Sequence, residues 1–135
     1  MEFSLIPYTK ETQALCKWQL ERFGLTLTGE AMKALQAGRA AALRDTGRVE
    51  LGHGILPQLV EAFCDAPDLT QENLTDELLS LQDIFYHWKS EAGDCVPDDE
   101  ILALLRRAYD ERARGRAEGL ASFTLREMKE VLRDE

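Results

Sequence analysis

The sequence has few of the residues from which metal centres and redox sites are built. Among its 135 residues are two histidines and three cysteines, and Cys16, Cys64 and Cys95 lie far apart with no CxxC pair. Structural zinc sites draw on closely spaced ligand pairs, and neither GxxxxGK[ST] nor GxGxxG occurs, so we expect no metal and no cofactor. Cys16 and Cys64 occupy apolar helical positions, which favours buried free thiols over a disulfide.

Long apolar runs, internal repeats and low-complexity tracts are also missing. The apolar runs are too short to cross a bilayer, and the opening MEFSLIPYTKE lacks the basic start and apolar stretch of a secretory signal. A chain of 135 residues suits one domain. We therefore expect a single helical domain, residues 1–135, in the cytoplasm.

Basic residues are almost absent from the middle of the chain. Residues 50–100 contain thirteen acidic residues and one basic residue, Lys89, while the whole chain has a net charge of -9. Nucleic acids and anionic membranes are bound through Lys and Arg that neutralise phosphate, so we expect neither as a partner. The acidic segment would attract a basic protein partner or would simply keep the protein soluble.

What the sequence does contain is a strong helical pattern, clearest in residues 70–92. An apolar seam at 4-3-4-3 spacing follows one face, formed by Leu74, Leu78, Leu81, Phe85 and Trp88. Leu79 and Tyr86 form a second apolar stripe on a flank, so this helix should touch two sets of neighbours. Thr70 is the predicted N-cap, and Gly93 follows the predicted C-terminus.

Capping residues predict further helices on both sides of this segment. They mark helices from Thr9 to Phe23, from Thr28 to Gly47, from Pro57 to Pro67, from Pro97 onward, and from the capping box at Thr124–Glu127. On the first helix, we expect the buried side to include Leu15, Cys16, Leu20 and Phe23. The fold class is therefore all-α: a single compact orthogonal bundle of five or six helices around the helix at about residues 70–92.

Two clusters have residue types suited to catalysis. In the glycine-rich segment GRVELGHG, residues 47–54, His53 follows Glu50 by three positions and could present an imidazole beside a carboxylate. Asp83, His87 and Glu91 lie on one face of the central helix and could hold a metal, but we interpret them as a solvated face with helical ion pairs. Five arginines between residues 106 and 116 could bind phosphate, or could pair with the acidic middle of the chain.

The segments GRVELGHGILPQLVEAFCDAP, LQDIFYHWKSEA and CKWQLERFGLTLT give the chain a family likeness. The sequence resembles a family of small helical proteins from anaerobic Gram-positive bacteria that is classed only as a domain of unknown function. The resemblance implies a bacterial, intracellular, mostly helical protein. It implies no activity, cofactor or catalytic residue.

The leading functional hypothesis is a non-catalytic interaction or regulatory module. Its acidic central surface would dock a basic protein partner or a second copy of the chain, with Asp76, Leu79, Asp83 and Tyr86 as candidate binding residues. The alternative is a small-molecule-binding or enzymatic helical domain that uses His53 with a carboxylate such as Glu50 or Asp83. A pocket beside His53 would favour the second hypothesis.

Overall fold

A computed structural model of the chain describes residues 9–50, 54–93 and 95–133. Helix α1 spans Lys10–Glu21 and helix α2 spans Gly29–Thr46. Both begin as predicted, because the side chains of Thr9 and Thr28 accept hydrogen bonds from the amides of Thr12 and Ala31. Gly47 ends α2 in the left-handed conformation, which glycine adopts without a steric penalty.

The next helix, α3, spans Leu56–Phe63 and has Pro57 in its first turn, where the missing amide proton costs no hydrogen bond. Its large apolar residues are all buried: Leu56, Leu59, Val60 and Phe63. This short helix therefore contributes almost its whole apolar face to the core.

The central helix, α4, spans Leu74–Ala92 and ends at Gly93 as predicted. All five seam residues are at most 2% exposed. The helix begins three residues later than expected, with Asn73 in place of Thr70 as its N-cap. Thr70 and Asn73 bond to each other instead: the Thr70 amide donates to Asn73 Oδ1 at 2.8 Å, and the Asn73 amide donates to Thr70 Oγ1 at 3.3 Å. The local turn thus replaces the first predicted helical turn.

Helix α5 spans Asp98–Ala108 and continues directly into a π-helical turn, Tyr109–Ala113. Arg114 then adopts a left-handed conformation, with φ of 51°, and a 3₁₀ helix follows at Ala117–Ser122. The last helix, α6, spans Leu125–Arg133. Its predicted capping box is confirmed, because the Thr124 amide donates to Glu127 at 2.9 Å and the Glu127 amide donates to Thr124 Oγ1 at 3.0 Å.

The all-α fold and the central position of α4 are confirmed. Helix α4 packs against α2, α3, α5, α6 and the 3₁₀ helix, and no strand occurs in the three described ranges. Its second apolar stripe faces α2. A Cβ added at Gly38 of α2 would lie 2.8 Å from Cδ2 of Leu79, so the two helices approach closely there.

The expected burial of α1 is only half right. Cys16 and Leu20 are fully buried, whereas Leu15 is 38% and Phe23 is 49% exposed. Helix α1 packs chiefly on α3. Its buried face includes Cys16, Gln19 and Leu20, and Gln19 donates a 3.0 Å hydrogen bond to the carbonyl of Pro57. The predicted buried thiols are confirmed, since Cys16 and Cys64 are free and buried.

Candidate functional site

Two cavities open along the polar side of α4. One, of about 360 Å³, lies between α4 and the segment that follows the 3₁₀ helix. It is lined by Asp83, Ile84, His87, Trp88, Glu91, Ala121, Ser122, Phe123 and Thr124. The charged groups come from one face of α4, because positions 83, 87 and 91 are successive i+4 neighbours.

The second cavity, of about 450 Å³, lies nearer the start of α4 and beside the left-handed turn at Arg114 and Gly115. It is lined by Asn73, Asp76, Glu77, Leu79, Ser80, Gly115, Arg116 and Glu118. We refer to the two cavities together as the α4 groove. Asp76 and Ser80 lie on the same helical side as Asp83 and His87, so the groove follows a single polar strip.

Internal contacts hold the walls of the α4 groove in place. The carboxylate of Glu91 accepts hydrogen bonds at 3.0 Å from the amides of Leu125 and Arg126, the first residues of α6. The indole nitrogen of Trp88 donates to the carbonyl of Phe123 at 3.0 Å. The segment 122–126 is thereby fixed to the last two turns of α4.

Glu77 has the same role at the other end of the groove. It is 6% exposed and accepts hydrogen bonds from the Tyr109 hydroxyl and the Ala117 amide, both at 3.1 Å. Burial, and then the nearby Glu77 carboxylate, raise the pKa of Tyr109 well above its usual value. Glu77 therefore ties α4 to the π-helical turn and to the 3₁₀ helix.

Several acids of the middle segment form ion pairs, three of them with arginines elsewhere in the chain and one with Lys89 of the same segment. The ion pairs are Arg39 with Glu50, Arg22 with Glu61, Arg106 with Asp65, and Lys89 with Asp98. The interpretation that the arginine cluster pairs with this segment is confirmed for Arg106, whose Nη1 lies 2.6 Å from Asp65 Oδ1. Arg107 pairs instead with Glu111, one helical turn away.

In contrast to the paired acids, the α4 groove has acidic side chains that remain exposed. Asp76 and Glu118 form no ion pair with another residue in the described ranges, and Arg116 is the basic residue beside them. Asp83 lies 3.5 Å from Nδ1 of His87, and that nitrogen is 2.9 Å from the Asp83 carbonyl. The carboxylates of Asp76 and Asp83 are thus left exposed on the central helix.

The structure places the other predicted binding residues differently. Tyr86 is 2% exposed, so it is not available to a docking partner. The stripe of Leu79 and Tyr86 faces α2, which confirms that α4 touches a second set of neighbours. Glu50 is occupied, because Oε1 accepts from the Tyr86 hydroxyl at 2.5 Å and from Arg39 Nε at 2.6 Å, and Oε2 accepts from the Ile55 amide at 3.1 Å. His53 lies outside the described residues.

The two buried cysteines, Cys16 and Cys64, both have raised pKa values. Burial raises the pKa of the Cys16 thiol to about 12, and burial followed by the Glu61 charge raises the pKa of Cys64, so neither is an activated thiolate. No group of three or more His, Cys, Asp or Glu side chains within the described ranges is placed to hold a metal ion. The arrangement of the groove suits binding through charge and shape.

Sequence reasoning missed two buried charged residues: Glu77, which holds one end of the α4 groove, and Arg39, which pairs with Glu50. A positional signal was available for both. Arg39 follows Leu35 by one turn and precedes Leu43 by another, on the buried face of α2. Glu77 precedes Leu78 and borders the apolar seam of α4. A charged residue at a core-facing position requires an internal partner.

The described helices include none with the length and apolar character needed to cross a membrane.

Comparison with known proteins identifies a family but no activity. No curated protein and no solved structure matches the chain. The model of a family of unknown function, DUF6323, matches residues 14–135, which confirms the resemblance to an uncharacterised helical family. The chain belongs to DUF6323, a family of unknown function.

Proposed function

We propose that this protein is a non-catalytic interaction module whose α4 groove binds a basic segment of a protein partner. The observation that carries the proposal is the coincidence of shape and charge. Two cavities open on the side of α4 that presents Asp76 and Asp83. Concave surfaces exclude water from the contacts made within them, which strengthens attraction between opposite charges.

The partner we propose combines basic and apolar side chains. The lining of the first cavity combines acidic residues with Ile84, Trp88 and Phe123, of which Phe123 is half-buried. A Lys or Arg has an apolar stem that can contact apolar side chains while its charged end reaches a carboxylate. Binding should be fast and salt-sensitive, because exposed charges steer the encounter and are screened by added salt.

A labelled peptide with Lys and Leu at helical spacing is a suitable probe, and the same peptide with Glu in place of Lys is its negative control. Fluorescence anisotropy should show binding of the Lys peptide that weakens as salt rises. In nitrogen-15 NMR spectra, the shifted amides should lie along α4 between residues 76 and 91. Equal binding of the Lys and Glu peptides would contradict a charge-based groove.

A matched pair of variants locates the binding surface. D76K/D83K reverses two charges on the groove, whereas D45K/E130K makes the same change in net charge at exposed positions of α2 and α6. We expect the first variant to weaken Lys-peptide binding at least tenfold and the second to weaken it much less. If both variants weaken binding equally, overall charge explains the effect and the groove has no special role.

We also propose the cytoplasm as the compartment in which the protein works. The support is chemical, since all three cysteines are free thiols and Cys95 is exposed. Thiols persist in reducing compartments, while secreted proteins of this size usually form disulfides.

A further inference from the structure

The outer face of α1 carries an unusual concentration of exposed apolar side chains. Four large apolar residues are exposed in the described part of the chain, and three of them lie on α1 or directly after it. Trp18 is 57%, Phe23 is 49% and Leu15 is 38% exposed. Clustered exposed aromatic residues with an adjacent arginine are typical of protein–protein contacts.

Four residues of this face form one stripe along α1: Glu11, Leu15, Trp18 and Arg22, which we call the α1 stripe. Their spacing is i, i+4, i+7 and i+11, which places them within an arc of about 60° at 100° per residue. The stripe has an acid at its first position, a base at its last, and two apolar side chains between them. All four residues are exposed.

Read in the opposite direction, the α1 stripe has side chains complementary to its own, so it can pair with an antiparallel copy of itself. When two copies of the stripe pack antiparallel, Glu11 of one meets Arg22 of the other, and Leu15 meets Trp18. A twofold axis repeats both contacts, as an interface between identical surfaces requires. We propose that the α1 stripe is a homodimerisation surface, on which α1 packs antiparallel against α1 of a second copy of this chain.

The arginine of the stripe is already held in position. Its guanidinium carbon lies 4.7 Å from the centre of the Trp18 ring and 5.5 Å from that of Phe23. Nε donates to the Gln19 carbonyl at 3.3 Å, and Nη2 donates to Glu61 at 2.8 Å. These contacts leave Nη1 of Arg22 for a carboxylate of the second copy and reduce the side-chain entropy lost on association.

This surface differs from the α4 groove in residues and in partner. The stripe belongs to α1, whose main packing partner is α3, whereas the groove belongs to α4 and the segment 115–124. Dimerisation through α1 and peptide binding at α4 can therefore be tested separately. Failure of one leaves the other standing.

Sedimentation velocity tests the proposal with two charge-reversal variants, E11R and R22E. The wild type should shift from monomer to dimer as its concentration rises. Each variant alone places like charges opposite each other at both ends of the stripe, so its dimer dissociation constant should rise at least tenfold. An equimolar mixture of the two variants pairs opposite charges at both ends and should dimerise at least as readily as the wild type.

The mixture separates a lost interface from a damaged fold. Circular dichroism should show that each variant remains helical, and an unfolded variant could not regain dimerisation on mixing. Trp18→Ala should also weaken the wild-type dimer, because it removes the largest apolar contact. The proposal is wrong if the wild type stays monomeric over the whole concentration series, if either variant dimerises as the wild type does, or if the mixture remains monomeric.

Discussion

Arg39 and Glu50 form a buried ion pair in which Nε and Oε1 are 2.6 Å apart. The side chain of Arg39 is 2% exposed and that of Glu50 is 16% exposed. Glu50 is the only acid of the glycine-rich segment, residues 47–54, which we call the connector. Its carboxylate also accepts hydrogen bonds from Tyr86 of α4 and from the Ile55 amide at the start of α3. One carboxylate therefore joins α2, α3 and α4.

Breaking this pair from one side should be strongly destabilising. Glu50→Gln removes the carboxylate that pairs with the buried guanidinium of Arg39, and we expect the free energy of unfolding to fall by about 3 kcal/mol. The double substitution R39M/E50Q removes both charges and should be less destabilising than the sum of its single variants. Urea unfolding followed by tryptophan fluorescence measures all four proteins.

An exposed pair provides the control. Arg126 and Glu130 lie 3.9 Å apart with side chains 86% and 62% exposed, and pairs of this kind contribute little in water. Glu130→Gln should leave the urea midpoint nearly unchanged. A loss for Glu50→Gln no larger than for Glu130→Gln would show that the buried pair does not support the connector.

The helices could be predicted from the sequence because their signals are local. Thr9, Thr28 and the capping box at Thr124 each mark a helix start by bonding to amides within three residues, and Gly47 and Gly93 mark the ends. The apolar seam of α4 predicted its burial, since one helix can bury a stripe of that width against its neighbours.

The tertiary contacts and the second wall of the α4 groove could not be predicted, because they join segments that are distant in the chain. Nothing adjacent to Tyr86 in sequence indicates that its hydroxyl meets Glu50, 36 positions earlier, and the same holds for Glu77 and Ala117. For the candidate site, Asp76 and Asp83 were predicted from the helical period, but the wall opposite them comes from residues 115–124. The turn that places this wall starts with a π-helical segment that has no clear sequence signal.

Two glycines with nearly equal φ, Gly47 and Gly54, allow a direct test of how the connector packs. Gly47 and Gly54 have φ of 66° and 68°, so alanine at either position has the strain of a left-handed residue, about 1 kcal/mol. A Cβ at Gly47 meets no atom within 4 Å, whereas a Cβ at Gly54 would collide with the Glu50 carboxylate.

Gly54→Ala should therefore lower the free energy of unfolding by about 2 kcal/mol more than Gly47→Ala, because Glu50 must leave Arg39 or Ile55. Urea titrations of the two variants make the comparison. Combining Gly54→Ala with Glu50→Gln should give a smaller loss than the two changes would give separately, since both disrupt one set of contacts. Equal losses for the two alanine variants would mean that the carboxylate moves aside without cost.

Because of the Tyr109 hydroxyl, the free energy of unfolding should change with pH in the alkaline range. Burial and the Glu77 carboxylate raise the pKa of Tyr109 in the folded protein above its value in the unfolded chain, about 10. The folded state consequently keeps this proton at a pH where the unfolded state loses it. The stabilisation is complete below about pH 10 and is lost as the pH rises toward the folded-state pKa, by at most about 1.4 kcal/mol per pH unit.

Tyr109→Phe isolates this contribution from the other groups that titrate at high pH. Below pH 10, the variant should be less stable than the wild type by about 1 kcal/mol, because Glu77 loses one of its two hydrogen-bond donors. Above pH 10, only the wild type has the Tyr109 proton to lose, so its advantage should shrink with each further step in pH. Urea unfolding of both proteins between about pH 8 and pH 11 measures the difference. If the two stability curves stay parallel through this range, the hydroxyl of Tyr109 has the same proton affinity in the folded and unfolded states, and Glu77 does not act on it.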